Sequence, residues 1–155
     1  MVGDVLSRAF GELVADLLDS GLQVRFRAAG RSMAPAVRDG DVLTVAPVAP
    51  ELVAVGDVIL CDTWRGPIAH RVVAMAGAGP ARRFVLRGDC SLENDRPVEP
   101  ARVRGRLVAV ERDGCVDRHS FARGALTRRL RGAQARWQRA LLRMRLAAAV
   151  ALGLV

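Results

Sequence analysis

The hexapeptide GRSMAP, Gly30 to Pro35, places a serine in a short stretch flanked by glycine and proline. A serine hydroxyl is a weak nucleophile at neutral pH and needs a base within hydrogen-bond reach to take its proton. The chain contains no lysine, so a Ser-Lys dyad is excluded. The remaining bases are His70 in PIAHRVV, His119 in DRHSF, or a carboxylate with a raised pKa. His70 lies in an apolar extended run suited to fixing one tautomer, whereas His119 lies in a polar junction. On residue types alone, Ser32 is either a turn residue or a nucleophile, and His70 either a packing residue or a base.

Other reactive side chains carry weaker signals. Cys61, Cys90 and Cys115 are odd in number and lie 29 and 25 positions apart (90 − 61 and 115 − 90), which gives neither a disulfide framework nor zinc-type spacing. They are expected to be buried small hydrophobes. His70, Cys90 and Asp95 are acceptable zinc ligands by type, but their spread along the chain is not that of a metal motif, and no metal is expected. A Gly-Asp pair recurs at Gly40-Asp41, Gly56-Asp57 and Gly88-Asp89. The first two open apolar runs and read as turn chemistry; Asp89 stays open, because no strand follows it.

These residues need a scaffold, and the sequence describes one. MVGDVLSRAFGELVADLLDSG has apolar residues at helical spacing interrupted by acids, which predicts an amphipathic helix over residues 1–21. LQVRFRA, DVLTVAPV, DVILCDT, AHRVVAM, RFVLRG and VRGRLVAV are then short β-branched or alternating runs separated by turn residues. They predict a mainly β body over residues 22–117. From residue 118 on, an arginine-rich, helix-forming segment predicts a basic amphipathic helix.

Charge divides along the same boundary. Residues 1–117 carry 15 Arg against 16 acids, a net −1, and residues 118–155 carry 9 Arg and no acid, a net +9. A basic helix holding Trp137 and the apolar end LAAAVALGLV suits an anionic membrane surface, or packing on the body or on a partner. Nothing in the body matches a base-reading module, so a nucleic-acid partner is not expected. Neither end reads as a signal peptide or a complete membrane span, which leaves a peripheral membrane or cytoplasmic location.

The order GRSMAPAVRDGDVLTVAP, VGDVIL, IAHRVV, FVLRGDCSLENDRPV and VRGRLVAV resembles the signal peptidase I family of serine peptidases, over about Gly30 to Val110. It looks closest to the branch in archaea and the endoplasmic reticulum, where histidine replaces the lysine base. The resemblance implies the β-rich catalytic body that this family shares with self-cleaving repressors. It implies Ser32 as nucleophile, His70 as base and Asp95 as the acidic third member, with Asp89 as the other candidate for that role or a structural residue. It also implies a peptide substrate bound as an added β-strand, with small residues before the cut and Gly30 and Met33 along the groove, and no cofactor.

Some features depart from the family pattern. The anchor helix usual before the nucleophile is replaced by an acidic amphipathic helix, and Cys90 stands where relatives carry asparagine. The expected activity is therefore endopeptidase cleavage of a signal or precursor peptide. The alternative is an inactive peptidase-fold module that binds extended peptides or a membrane-associated partner. A self-cleaving repressor would need a lysine base and an N-terminal DNA-binding domain, and the sequence has neither.

Overall fold

The computed structural model of the protein describes residues 2–63 and 66–118. The basic helix expected in the C-terminal segment falls outside the described residues, as does His119. Helix α1 spans Val2–Asp19 and closes on a glycine. Gly21 adopts φ +83°, its N–H donates to the Leu18 carbonyl at 2.9 Å, and that of Leu22 donates to the Leu17 carbonyl at 3.0 Å. Only a residue tolerant of positive φ can make this closure without strain. No described helix is long and apolar enough to cross a membrane.

All six expected strands form: β1 (Val24–Arg27), β2 (Val42–Ala46), β3 (Val58–Thr63), β4 (Gly66–Ala76), β5 (Arg83–Arg87) and β6 (Val103–Arg112). A seventh, β7 (Cys115–Asp117), folds back on the end of β6. Every pairing is antiparallel. The strands make one sheet in the order β1-β2-β6-β3-β4-β5, with β7 also beside β6. The body is mainly β, with α1 laid against it.

The sheet carries a core on each face, and β3 shows why. Val58, Ile59, Leu60 and Cys61 are all buried, and alternate side chains of a strand point to opposite faces. Val58 and Leu60 pack with Val14 and Leu18 of α1 and with Leu43, Val45 and Leu107. Ile59 and Cys61 pack on the other side with Val72, Phe84, Leu86 and Val98. A strand covered on both faces reads as an unbroken apolar run, as VILC does.

The cysteines divide. Cys61 is buried as expected, and burial pushes its thiol up to about 12, so it stays protonated and inert. Cys90 and Cys115 are exposed, contrary to expectation. One lies in the loop after β5 and the other opens the exposed strand β7.

The first two Gly-Asp pairs are turn residues, and each aspartate also faces an arginine. Buried Asp57 accepts the Ala54 N–H at 2.9 Å and lies 3.5 Å from Arg106 Nη1. Asp41 accepts the Arg38 N–H at 2.7 Å and the Arg112 fork at 2.9 and 2.6 Å. The Arg112 hydrogen bonds hold the Asp41 carboxyl below its ordinary 3.8, against burial, which acts the other way.

A folded-state value below the unfolded one means that Asp41 stabilises the protein above about pH 4, and that this is lost as pH falls through the folded value. Asp41→Asn is expected to cost about 1–3 kcal/mol at pH 7 in urea unfolding. The gap to wild type should narrow steadily below about pH 4.

Candidate functional site

Ser32 sits on the loop between β1 and β2. The neck of this loop is closed by Ala28 N–H to the Asp41 carbonyl at 2.7 Å and Gly40 N–H to the Ala28 carbonyl at 2.9 Å. Gly30 turns the chain at φ +98° and donates its N–H to Asp39 Oδ1 at 2.8 Å. The next turn is fixed by Val37 N–H to the Met33 carbonyl at 2.9 Å. Met33 and Val37 are buried in the core under α1, so the loop is plugged into the body while Ser32 itself stays exposed.

The opposite wall comes from the segment after β5. Gly88 lies so close to Ser32 that an added Cβ would stand 2.6 Å from the Ser32 carbonyl oxygen. Only glycine fits there. Cys90 then donates its N–H to that same carbonyl at 2.9 Å, and Asp95 donates its own to the Leu86 carbonyl at 2.8 Å. Asp95 is held beside the sheet even though it belongs to no strand.

His70 projects from β4 between these two walls. Its Nε2 is 3.0 Å from Ser32 Oγ, and its Nδ1 is 2.5 Å from Asp95 Oδ2. Three residues separated by 38 and 25 positions thus form one hydrogen-bonded chain. The His70 side chain is 14% exposed and that of Asp95 31%, so the imidazole is largely enclosed yet reachable through Ser32. A carboxylate on one ring nitrogen fixes the tautomer that leaves the other free to accept the serine proton. This set can activate a hydroxyl and stabilise the imidazolium that results.

Asp89 is not part of the chain. Its two oxygens accept the Arg71 fork, from Nε at 2.7 Å and Nη2 at 2.6 Å, with both side chains at most 5% exposed. Arg71 Nη1 donates to the Gly56 carbonyl at 2.8 Å. The third Gly-Asp pair therefore binds β4, one residue from His70, to the segment that packs on Ser32. The sequence reading of residues singly missed Arg71 in this role, and the only trace was that no strand followed Gly88-Asp89.

A groove of about 270 Å³ leads away from Ser32. Gly30 and Met33 line it, and Phe10, Phe26, Pro67 and Ile68 carry it further. Met33 serves both readings, being core and groove wall at once. Among the described residues no group of three or more His, Cys, Asp or Glu is placed to hold a metal ion. Comparison of the chain with protein-family models and with curated proteins returns no match.

The two aspartates should differ sharply in what they hold up. Asp89→Ala strands the buried Arg71 charge and is expected to cost about 3–5 kcal/mol, read as a lower urea midpoint. Asp95→Ala, at the partly exposed end of the hydrogen-bonded chain, should cost below about 1 kcal/mol.

Proposed function

We propose that the protein is a serine endopeptidase of the kind the sequence resembles, cleaving an extended signal or precursor peptide through an acyl-enzyme. The hydrogen-bonded chain Asp95–His70–Ser32 is the observation that carries this reading. His70 Nε2 takes the Ser32 proton as Oγ attacks the scissile carbonyl, and it returns that proton to the leaving amine. Water then attacks the acyl ester by the same route in reverse, with His70 again as base. Asp95 accepts the Nδ1–H throughout and stabilises the imidazolium. The backbone N–H of Ser32, which donates to no acceptor among the described residues, supplies the first oxyanion donor.

Two open backbone edges support a peptide substrate. β3 pairs with Gly66–Arg71 of β4, but β5 pairs only from Arg71 on, so the outer edge of residues 66–70 has no ladder partner among the described residues. The outer edge of β1 likewise has no strand partner among the described residues. The groove runs between these edges, where an extended peptide adds as a strand and leads its carbonyl to Ser32. The shallow apolar walls suit small side chains. The net +9 of residues 118–155 supports contact with an anionic membrane surface, and hence a peripheral membrane location.

Incubation of the full chain with a peptide library, read by mass spectrometry, should give defined cleavages. Ser32→Ala and His70→Ala are expected to lower the rate at least about 10⁴-fold, and Asp95→Asn about 10²- to 10⁴-fold. Cleavage that persists in Ser32→Ala contradicts the assignment. In a separate measurement, flotation with anionic vesicles should fall steeply as salt rises and be absent with neutral vesicles.

A further inference from the structure

Arg87, the last residue of β5, stands apart from the other arginines of the sheet. The other arginines of the described strands each have a carboxylate or carbonyl partner. The Arg87 side chain is half-buried and makes no hydrogen bond or ion pair among the described residues, and its Nε is buried without a partner. A buried donor left unmade costs free energy that a ligand can restore.

Its neighbour strengthens the case. Arg87 is the register partner of Arg71 across β4 and β5, and register partners point their side chains to the same side, where like charges destabilise a sheet. Asp89 takes the Arg71 fork at 2.7 and 2.6 Å. One of the two cations is thereby neutralised, and the other awaits an anion that the described residues do not supply.

The place of Arg87 along the strand says which anion. β5 pairs with β4 only from Arg71 on, so a peptide added to the open edge of residues 66–70 is in line with β5 and runs up to its end at Arg87. The groove lies on the other side of His70, toward Pro67, and Arg87 does not line it. With the residues before the cut in the groove, those after the cut meet Arg87. From His70 to Arg71 is one strand residue, about 3 Å, and Gly88, next to Arg87, packs on Ser32. The first two residues of the leaving fragment therefore come within reach of its guanidinium.

We propose that Arg87 is a binding residue for a carboxylate side chain carried by the first or second residue after the cut. The inference rests on the endopeptidase reading above. A guanidinium offers a carboxylate two parallel N–H donors, and the burial of Nε makes that bond stronger than one in water. An amide of the same shape offers one acceptor oxygen and no charge. The contact thus selects aspartate over asparagine and glutamate over glutamine.

The test is kcat/KM for two peptide series, varied at the first or at the second residue after the cut, each comparing Asp with Asn and Glu with Gln. Wild type should favour the acid about tenfold at one of the two positions. Arg87→Gln should bring that ratio near one, and Arg87→Lys, which keeps the charge without the fork, should keep part of it. Arg102→Gln, at an exposed arginine in the turn before β6, should match wild type. Ratios of one at both positions in wild type, with Ser32-dependent cleavage intact, overturn the role of Arg87 alone, as does an acid preference that survives in Arg87→Gln. The wild-type ratios decide by themselves even where a variant fails to fold. Absence of Ser32-dependent cleavage in wild type overturns the endopeptidase reading and this inference with it.

Discussion

The buried fork between Arg71 and Asp89 is the constraint on which the site depends. Removing two charges from water is costly, and here each nitrogen of the guanidinium makes a hydrogen bond that offsets part of that cost. Here Arg71 spends its third donor on the Gly56 carbonyl, so one guanidinium binds two separate turns. Its value is directional. Arg71 follows His70 on β4, while Asp89 lies between Gly88, which packs on Ser32, and Cys90, which hydrogen-bonds the Ser32 carbonyl. A shift in that fork would move the imidazole and the hydroxyl apart together.

The same economy runs through the other Gly-Asp turns. Asp41 with Arg112 closes the foot of the loop that carries Ser32, and Asp57 with Arg106 lies at the turn that enters β3. In each, a short aspartate satisfies its own turn and takes an arginine from the sheet. With few aromatic residues to fix side-chain directions, the body uses aspartate–arginine pairs at its turns and small aliphatic cores on its two faces.

Much of this was legible in the residues. The β-branched runs placed six strands, and the glycine after an apolar helical pattern placed the end of α1, because local period and turn chemistry decide both. Residue type raised Ser32 and His70 as candidates, but Asp95 and the joining of the three came from the resemblance, since nothing in their spacing of 38 and 25 positions predicts that they meet. Strand β7 was missed because three exposed residues carry no alternation. The exposure of Cys90 and Cys115 was missed because residue type states a preference and the fold decides the position. The pairing of Arg71 with Asp89 and its place beside Arg87 depend on tertiary placement, which leaves no local pattern to read.

The hydrogen-bonded chain stands or falls as chemistry on whether a covalent intermediate forms. Peptide cleavage run with increasing hydroxylamine, with products identified by mass spectrometry, tests this directly. An acyl-enzyme partitions between water and hydroxylamine, so the N-terminal fragment should appear increasingly as its hydroxamate, and this should vanish in Ser32→Ala. An N-terminal fragment released only as the free acid at every hydroxylamine concentration would mean that water attacks the peptide directly, and would contradict a nucleophilic Ser32.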